Sequence, residues 1–270
     1  MSTDLSHLAL IAGNGLYPST MVAAARRAGV QRLIAAAFLD ETRTDLADRV
    51  DVIDWFRVGQ LGKLIAFFKR EGVRQAVMVG QIAPKNLFDL RPDMRTLLML
   101  ARLPRRNAES LFGAIADELA KDGITLLPAT TFLEEFMPAA GQIAGPAVKK
   151  RRWDDARYGY EIAKESSRLD IGQTVVVKNG TVLAVEAFEG TNEAVKRGGA
   201  LGRGGAAMVK VAKPGQDMRF DVPVVGPDTI RVAAEAGVDL IAVEAGKTLL
   251  LGVEELRAEC QARRVTLIAL

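Results

Sequence analysis

Hydrophobic residues in the first half of the chain gather into short, nearly unbroken runs separated by stretches of helical period. Residues 8–13 (LALIAG), 33–38 (LIAAAF) and 75–80 (QAVMVG) are such runs, and 50–56 (VDVIDWF) alternates in part. Runs of this length and apolarity read as strands buried on both faces. Helical spacing covers 19–28, closed by Gly29, and 60–70, stopped by Gly72. It returns over 93–103 and 107–122, the second stopped by Gly123, before a short strand at 124–129. Strands alternating with helices predict a parallel sheet covered on both faces. The expected fold class is therefore α/β, with an N-terminal Rossmann-like parallel-sheet domain over 1–137.

Residues 138–152 (PAAGQIAGPAVKKRR) break the pattern and read as a linker, rich in Gly, Pro and Ala and ending in four basic residues. That basic cluster is either a solvated surface or a contact for an anionic ligand or membrane. From 153 to 270 the rhythm changes. A helix at 154–168 precedes a hairpin over 174–188, turned at Asn179-Gly180, the dipeptide that best accepts positive φ. A short helix at 191–197, a strand at 206–213, a helix at 228–236, strands at 239–245 and 248–252, a helix at 253–263 and a last strand complete a second α/β domain with a mixed sheet.

Composition narrows the function. Lys and Arg number 36 against 33 Asp and Glu, a net charge of +3, which is too mild for a nucleic-acid binder, and basic and aromatic residues do not interleave. Cys260 is the single cysteine and His7 the single histidine, which exclude an internal disulfide and a Cys-based zinc site. The N-terminal residues lack a signal-type pattern and no apolar run is long enough to span a bilayer, so a cytoplasmic protein is expected.

Four segments carry candidate chemistry. Gly13-Asn14-Gly15-Leu16-Tyr17-Pro18 follows the first strand and opens a helix, where backbone amides can hold a phosphate. Pro18 stands where the dinucleotide fingerprint needs a third glycine, while Asp40 lies near the ribose-binding position. Turn geometry, phosphate binding and NAD binding all remain open there. Glu189-Gly190-Thr191-Asn192 sits between a strand end and a helix, with Thr191 a natural N-cap. The glycines at 198, 199, 202, 204 and 205 would then form a mobile connection or a phosphate-cradling nest. The segment 85–106 combines Leu97, Leu98, Met99 and Leu100 with Arg91, Arg95, Arg102, Arg105 and Arg106, the pattern either of a core helix with solvated arginines or of one resting on an anionic bilayer.

The fourth segment, 213–229 (KPGQDMRFDVPVVGPDT), is the strongest. In an extended chain Asp217, Arg219 and Asp221 would share one face. Two carboxylates and a guanidinium there suit a Mg²⁺ ion bridging phosphate oxygens, with the arginine balancing the remaining charge. A surface ion pair is the plainer alternative. At this level an oxidoreductase using the N-terminal turn, or a nucleotide-binding module without catalysis, also stays open.

The stretches LALIAGNGLYP, VEAFEGTNEAV and KPGQDMRFDVPVVGPDT resemble the LpxI family of UDP-2,3-diacylglucosamine pyrophosphatases, and the likeness runs over essentially the whole chain. It implies a Mg²⁺-dependent enzyme of lipid A synthesis that yields UMP and 2,3-diacylglucosamine 1-phosphate (lipid X). The family's glycine turn falls on Gly13, Asn14 and Gly15, its Glu-Gly-Thr element on Glu189, Gly190 and Thr191, and its last element on Gln216, Asp217, Arg219 and Asp221. Asn192 stands where an aspartate is expected, which shifts weight onto Asp221. Under this resemblance Asp221 is the essential carboxylate, holding Mg²⁺ with Asp217 or orienting water, and Asp217 and Glu189 assist. Arg219 and Lys210 clamp phosphate. The expected partners are a lipid-linked UDP-sugar, the inner-membrane surface and a second copy of the chain, with no nucleic acid.

Overall fold

In a computed structural model, which describes residues 6–82, 92–103 and 108–270, the chain forms two compact units. The first takes the described residues up to Leu133 together with Asp217–Asp221, and the second takes Glu134–Gln216 and Val222–Leu270.

The first unit contains β1 (His7–Ala12), α1 (Tyr17–Arg27), β2 (Arg32–Phe38), β3 (Val52–Phe56), α2 (Leu61–Arg70), β4 (Gln75–Val79), α3 (Met94–Ala101), α4 (Ala108–Lys121) and β5 (Thr125–Leu126). Its strands pair in parallel in the order β3-β2-β1-β4-β5. The apolar runs that predicted strands are the most deeply buried parts of that sheet: Leu8, Leu10, Leu33 and Ile34 have no exposed surface. Ile34, Phe68, Leu119 and Ile124 anchor one core layer, and Phe220 from the far end of the sequence packs against it.

The second unit contains β6 (Gly141–Ala144), α5 (Lys150–Arg168), β7 (Thr174–Lys178), β8 (Thr181–Val185), α6 (Thr191–Gly202), β9 (Ala206–Lys210), β10 (Val224–Val225), α7 (Pro227–Glu235), β11 (Val238–Val243), β12 (Leu249–Leu250), α8 (Val253–Arg263) and β13 (Thr266–Ala269). Six strands form a mixed sheet in the order β6-β13-β11-β9-β7-β8, parallel through β13, β11 and β9 and antiparallel elsewhere. The hairpin turns at Asn179 (φ 52°) and Gly180 (φ 71°), both left-handed as that dipeptide predicts.

Three expectations change. The stretch read as a linker holds β6, which pairs with β13, and the first residues of α5. Its basic cluster is structural in part. Arg152 donates to the carbonyls of Gly205 and Ala206 and pairs with Asp155 and Asp239, while Arg151 donates to Asn179.

The glycine-rich region after 197 is not a mobile loop. Gly198 and Gly199 lie inside α6, where a Cβ would sit 2.5 Å from Val176 and 2.0 Å from the Ala236 carbonyl oxygen. Only a residue without a side chain allows that approach. Lys178 then donates to the carbonyls of Gly202 and Gly204 beyond, closing the helix end.

Residues 217–221, expected to be extended, form a helical turn in which Phe220 and Asp221 both donate to the Asp217 carbonyl. Two features fold it over. Asp217 accepts from the Arg219 amide at 3.0 Å, and Phe220 meets Phe112 at a ring-centroid distance of 5.6 Å.

Candidate active site

In the first unit the order of the strands reverses between β1 and β4, the place where open parallel sheets take their ligands, outside the carboxyl ends. Gly13, Asn14 and Gly15 lie there. Asn14 and Gln81 exchange backbone hydrogen bonds of 2.7 and 3.2 Å, and a Cβ on Gly13 would fall 2.5 Å from the Gln81 carbonyl oxygen. The amides of all three turn residues already have acceptors: Val79 O for Gly13, Gln81 O for Asn14 and the Asn14 side chain for Gly15. Those three amides are thus engaged within the protein. Gly13 serves a close approach of two loops, while Gly15 holds a left-handed backbone at φ 91° with open space beside it. Asp40, the candidate ribose-binding acid, occupies an exposed left-handed turn after β2.

Asp217, Arg219 and Asp221 are presented by the same unit. The Arg219 guanidinium grips both oxygens of Asp217, with Nη2–Oδ2 at 2.6 Å and Nε at 3.0 and 3.1 Å. This hydrogen-bonded pairing holds the Asp217 carboxyl below its ordinary range and raises the guanidinium further. Asp217 thereby fixes the direction of Arg219. The Met218 carbonyl accepts from the Ala129 amide at 2.8 Å, and with Phe220 it staples the turn to its unit.

In the second unit a polar group gathers at the carboxyl end of β9. Lys210 is the last residue of that strand, Thr174 is its cross-strand partner, Glu186 follows β8 and Thr191 opens α6. The N-cap is Gly190 at φ 82° rather than Thr191, whose hydroxyl turns away from the helix amides and donates to Glu186 Oε1 at 2.8 Å. Lys210 Nζ donates to the same hydroxyl oxygen at 3.3 Å. Glu189 points elsewhere. Arg197 engages its Oε1 and the Ala187 amide its Oε2, and the Arg197 hydrogen bond holds its carboxyl below the usual range. Gln216 accepts from the Lys213 amide through Oε1, while its Nε2 is buried without a partner among the described residues.

Glu186 joins this polar group without having been singled out by the sequence. A glutamate three positions before another carries no local signal; its meaning comes from the fold setting β7 between β8 and β9. The same holds for Glu244, after β11. Its carboxylate accepts from the Ala212 amide at 2.9 Å and from Lys164 at 3.1 Å, fixing the chain where it leaves β9.

Two family models divide the chain between them: the LpxI N-terminal domain over residues 7–136 and the LpxI C-terminal domain over residues 139–268. The chain belongs to the LpxI family. The UDP-2,3-diacylglucosamine pyrophosphatase LpxI of Caulobacter vibrioides is 32% identical over 258 residues, spanning 92% of this chain and 91% of that protein. Solved structures give only faint likeness. The biotin carboxylase subunit of pyruvate carboxylase has a TM-score of 0.27 at 15% identity, covering 63% of this chain and 34% of its own. The biotin carboxylase domain of 2-oxoglutarate carboxylase from Hydrogenobacter thermophilus has 0.26 at 15%, covering 64% and 35%. This chain spans about a third of both, and at such scores the likeness carries no argument.

For an LpxI protein the donor set bears on the metal. Among the described residues no three His, Cys, Asp or Glu side chains cluster around a point that could hold a cation. Asp217 is committed to Arg219. A Mg²⁺ ion, however, is commonly held by one or two carboxylates completed by substrate phosphate oxygens and water. Among the described residues the carboxylates form no metal cage of their own, so a Mg²⁺ ion here would depend on that mode.

Proposed function

We propose that this protein hydrolyses the diphosphate of UDP-2,3-diacylglucosamine in lipid A biosynthesis, releasing UMP and 2,3-diacylglucosamine 1-phosphate. The observation that carries the reading is membership of the LpxI family across both halves of the chain. The residue inventory agrees with it. Displacement at phosphorus asks for charge neutralisation on phosphoryl oxygens and an oriented water, and it needs neither histidine nor cysteine as nucleophile. Cys260, the lone thiol, is buried, and burial pushes it up to about 11.

In this reading Asp221 is the essential carboxylate and Arg219, aimed by Asp217, binds phosphate oxygen. Lys210 supplies positive charge, and among the described residues the buried Gln216 Nε2 is a donor with no acceptor. Mg²⁺, held by Asp221 and diphosphate oxygens, would supply Lewis-acid neutralisation of the leaving phosphate. Glu189, engaged on both oxygens, shapes the entry to α6.

The decisive test is Asp221→Ala. Turnover of the diacylated UDP-sugar should fall by about a hundredfold or more, the scale on which transition-state charge stabilisation is lost, with the melting temperature unchanged. A folded variant that still produces UMP at the normal rate removes Asp221 from the reaction.

The substrate's two acyl chains also bear on location. Among the described residues no helix is long and apolar enough to cross a membrane. Helix α3, however, turns Met94, Leu97 and Leu98 outward at 70, 47 and 54% exposure, a stripe at helical spacing. Arg95 is not part of that surface, because it pairs with Glu118 and Asp122, and Arg91, Arg105 and Arg106 lie outside the described residues. The proposal places the enzyme in the cytoplasm, resting this stripe on the inner membrane. Leu97→Glu with Leu98→Glu should abolish sedimentation with anionic vesicles while leaving turnover in detergent intact; undiminished sedimentation refutes the contact.

A further inference from the structure

The hydroxyl of Thr191 has one hydrogen and two lone pairs, and each of them is allotted. It donates to Glu186 Oε1 at 2.8 Å. Its oxygen stands 3.3 Å from the Lys210 ammonium, which can only donate. The Thr174 hydroxyl, on a residue with no exposed surface, lies 3.5 Å away, and because Thr191 has given its hydrogen to Glu186, Thr174 is the donor there. A hydroxyl filled in this way has nothing left for a phosphate oxygen. Its direction is set by the acceptor at one end of the chain, Glu186.

Glu186 itself is held in an unusual state. Its Oε1 takes the Thr191 hydrogen, while its Oε2 is sealed from solvent with no hydrogen-bond partner among the described residues. A buried carboxylate oxygen without a donor costs stability, so packing alone gives no reason for a glutamate here. Gly172 shows how closely this loop is drawn in, since a Cβ there would lie 2.1 Å from the Glu186 carbonyl oxygen.

We propose that Glu186 is a positioning residue for the hydrolytic reaction: by accepting from Thr191 it orients the hydrogen-bond chain Lys210 → Thr191 → Glu186 and so holds the Lys210 ammonium where it meets the substrate's phosphate. Thr191 is then the joint of this chain rather than a phosphate ligand. The inference deepens the proposed role of Lys210 and rests on it.

The test measures kcat and KM for the diacylated UDP-sugar with six full-length variants, five single and one double, each checked by thermal melting. Lys210→Ala tests the underlying reading and should lose about a hundredfold in kcat. Glu186→Ala and Thr191→Val should each lower kcat by about thirtyfold with KM within about threefold, because a displaced charge is missed most in the transition state. Glu186→Gln, which keeps an acceptor for Thr191, and Thr191→Ser, which keeps the hydroxyl, should both return kcat to within about threefold of wild type, since each preserves the hydrogen bond. The Glu186→Ala/Thr191→Val double variant should be no worse than either single, as expected for members of one chain. If Lys210→Ala is fully active, the reading of Lys210 falls and the positioning role with it. If Lys210→Ala is crippled while folded Glu186→Ala is not, or if the two single losses multiply, or if glutamine fails to rescue, the positioning role alone is overturned.

Discussion

Asp217 and Asp221 are the same residue type four positions apart, yet their surroundings separate them. Arg219 takes both oxygens of Asp217, so that side chain is used in holding the arginine still. The consequence can be read in the pH dependence of stability. The folded-state pKa of Asp217 lies below its unfolded value, chiefly through the Arg219 hydrogen bond. Its stabilisation is therefore fully present above the unfolded value of about 3.9 and is lost as pH falls through the folded one. In urea titrations, the wild-type midpoint should drop more steeply below about pH 4 than that of Asp217→Asn, where this group no longer titrates. Parallel curves would mean that the pair does not survive in solution.

At the scale of elements, α6 shows what close contact demands. Its Gly199 faces the carbonyl of Ala236 after α7, and a Cβ there would lie 2.0 Å from that oxygen. Gly199→Ala should force the helix away and destabilise the protein by about 1–3 kcal/mol, as overpacking does, seen as a lower thermal midpoint; an unchanged midpoint would show that α6 shifts freely. This helix also marks where the sequence stopped being legible. Strands β1, β2, β4 and β7, and the hairpin at Asn179-Gly180, were readable because burial and turn chemistry leave local traces. The run 198–205 looked like a loop because glycine is a poor helix former, and the sequence does not record that Val176 and Ala236 press on it from elsewhere. Similarly, Met218 and Phe220 alternate with charges as in a strand, and the Phe112 ring, more than a hundred positions earlier, joins the Asp217–Arg219 amide hydrogen bond in turning the chain instead. Of the site, the residues in named motifs were visible, while Glu186, Thr174 and Glu244 became visible only through the register of β7, β8, β9 and β11.

On the scale of the whole molecule, the segment 217–221 belongs to the first unit although the residues on both sides of it belong to the second. The backbone therefore passes from one unit to the other at Leu133, at Gln216 and at Asp221. Phe220 is the apolar anchor of that excursion, packed against the first unit's core and beside Phe112. Phe220→Ala should cost about 1–3 kcal/mol, less than a fully buried aromatic because the ring is only partly covered. Turnover should fall as well, since the ring steadies the turn carrying Arg219 and Asp221. A loss of activity with no change in the denaturation midpoint would show that the anchor does not contribute to the unit's stability. The same threading sets a timetable for biosynthesis. A ribosome releases the polypeptide from its amino end, so the first unit must wait for a piece translated long after the rest of it, and until that piece clears the exit tunnel the flank of Phe112 stays bare for chaperones or aggregation to find.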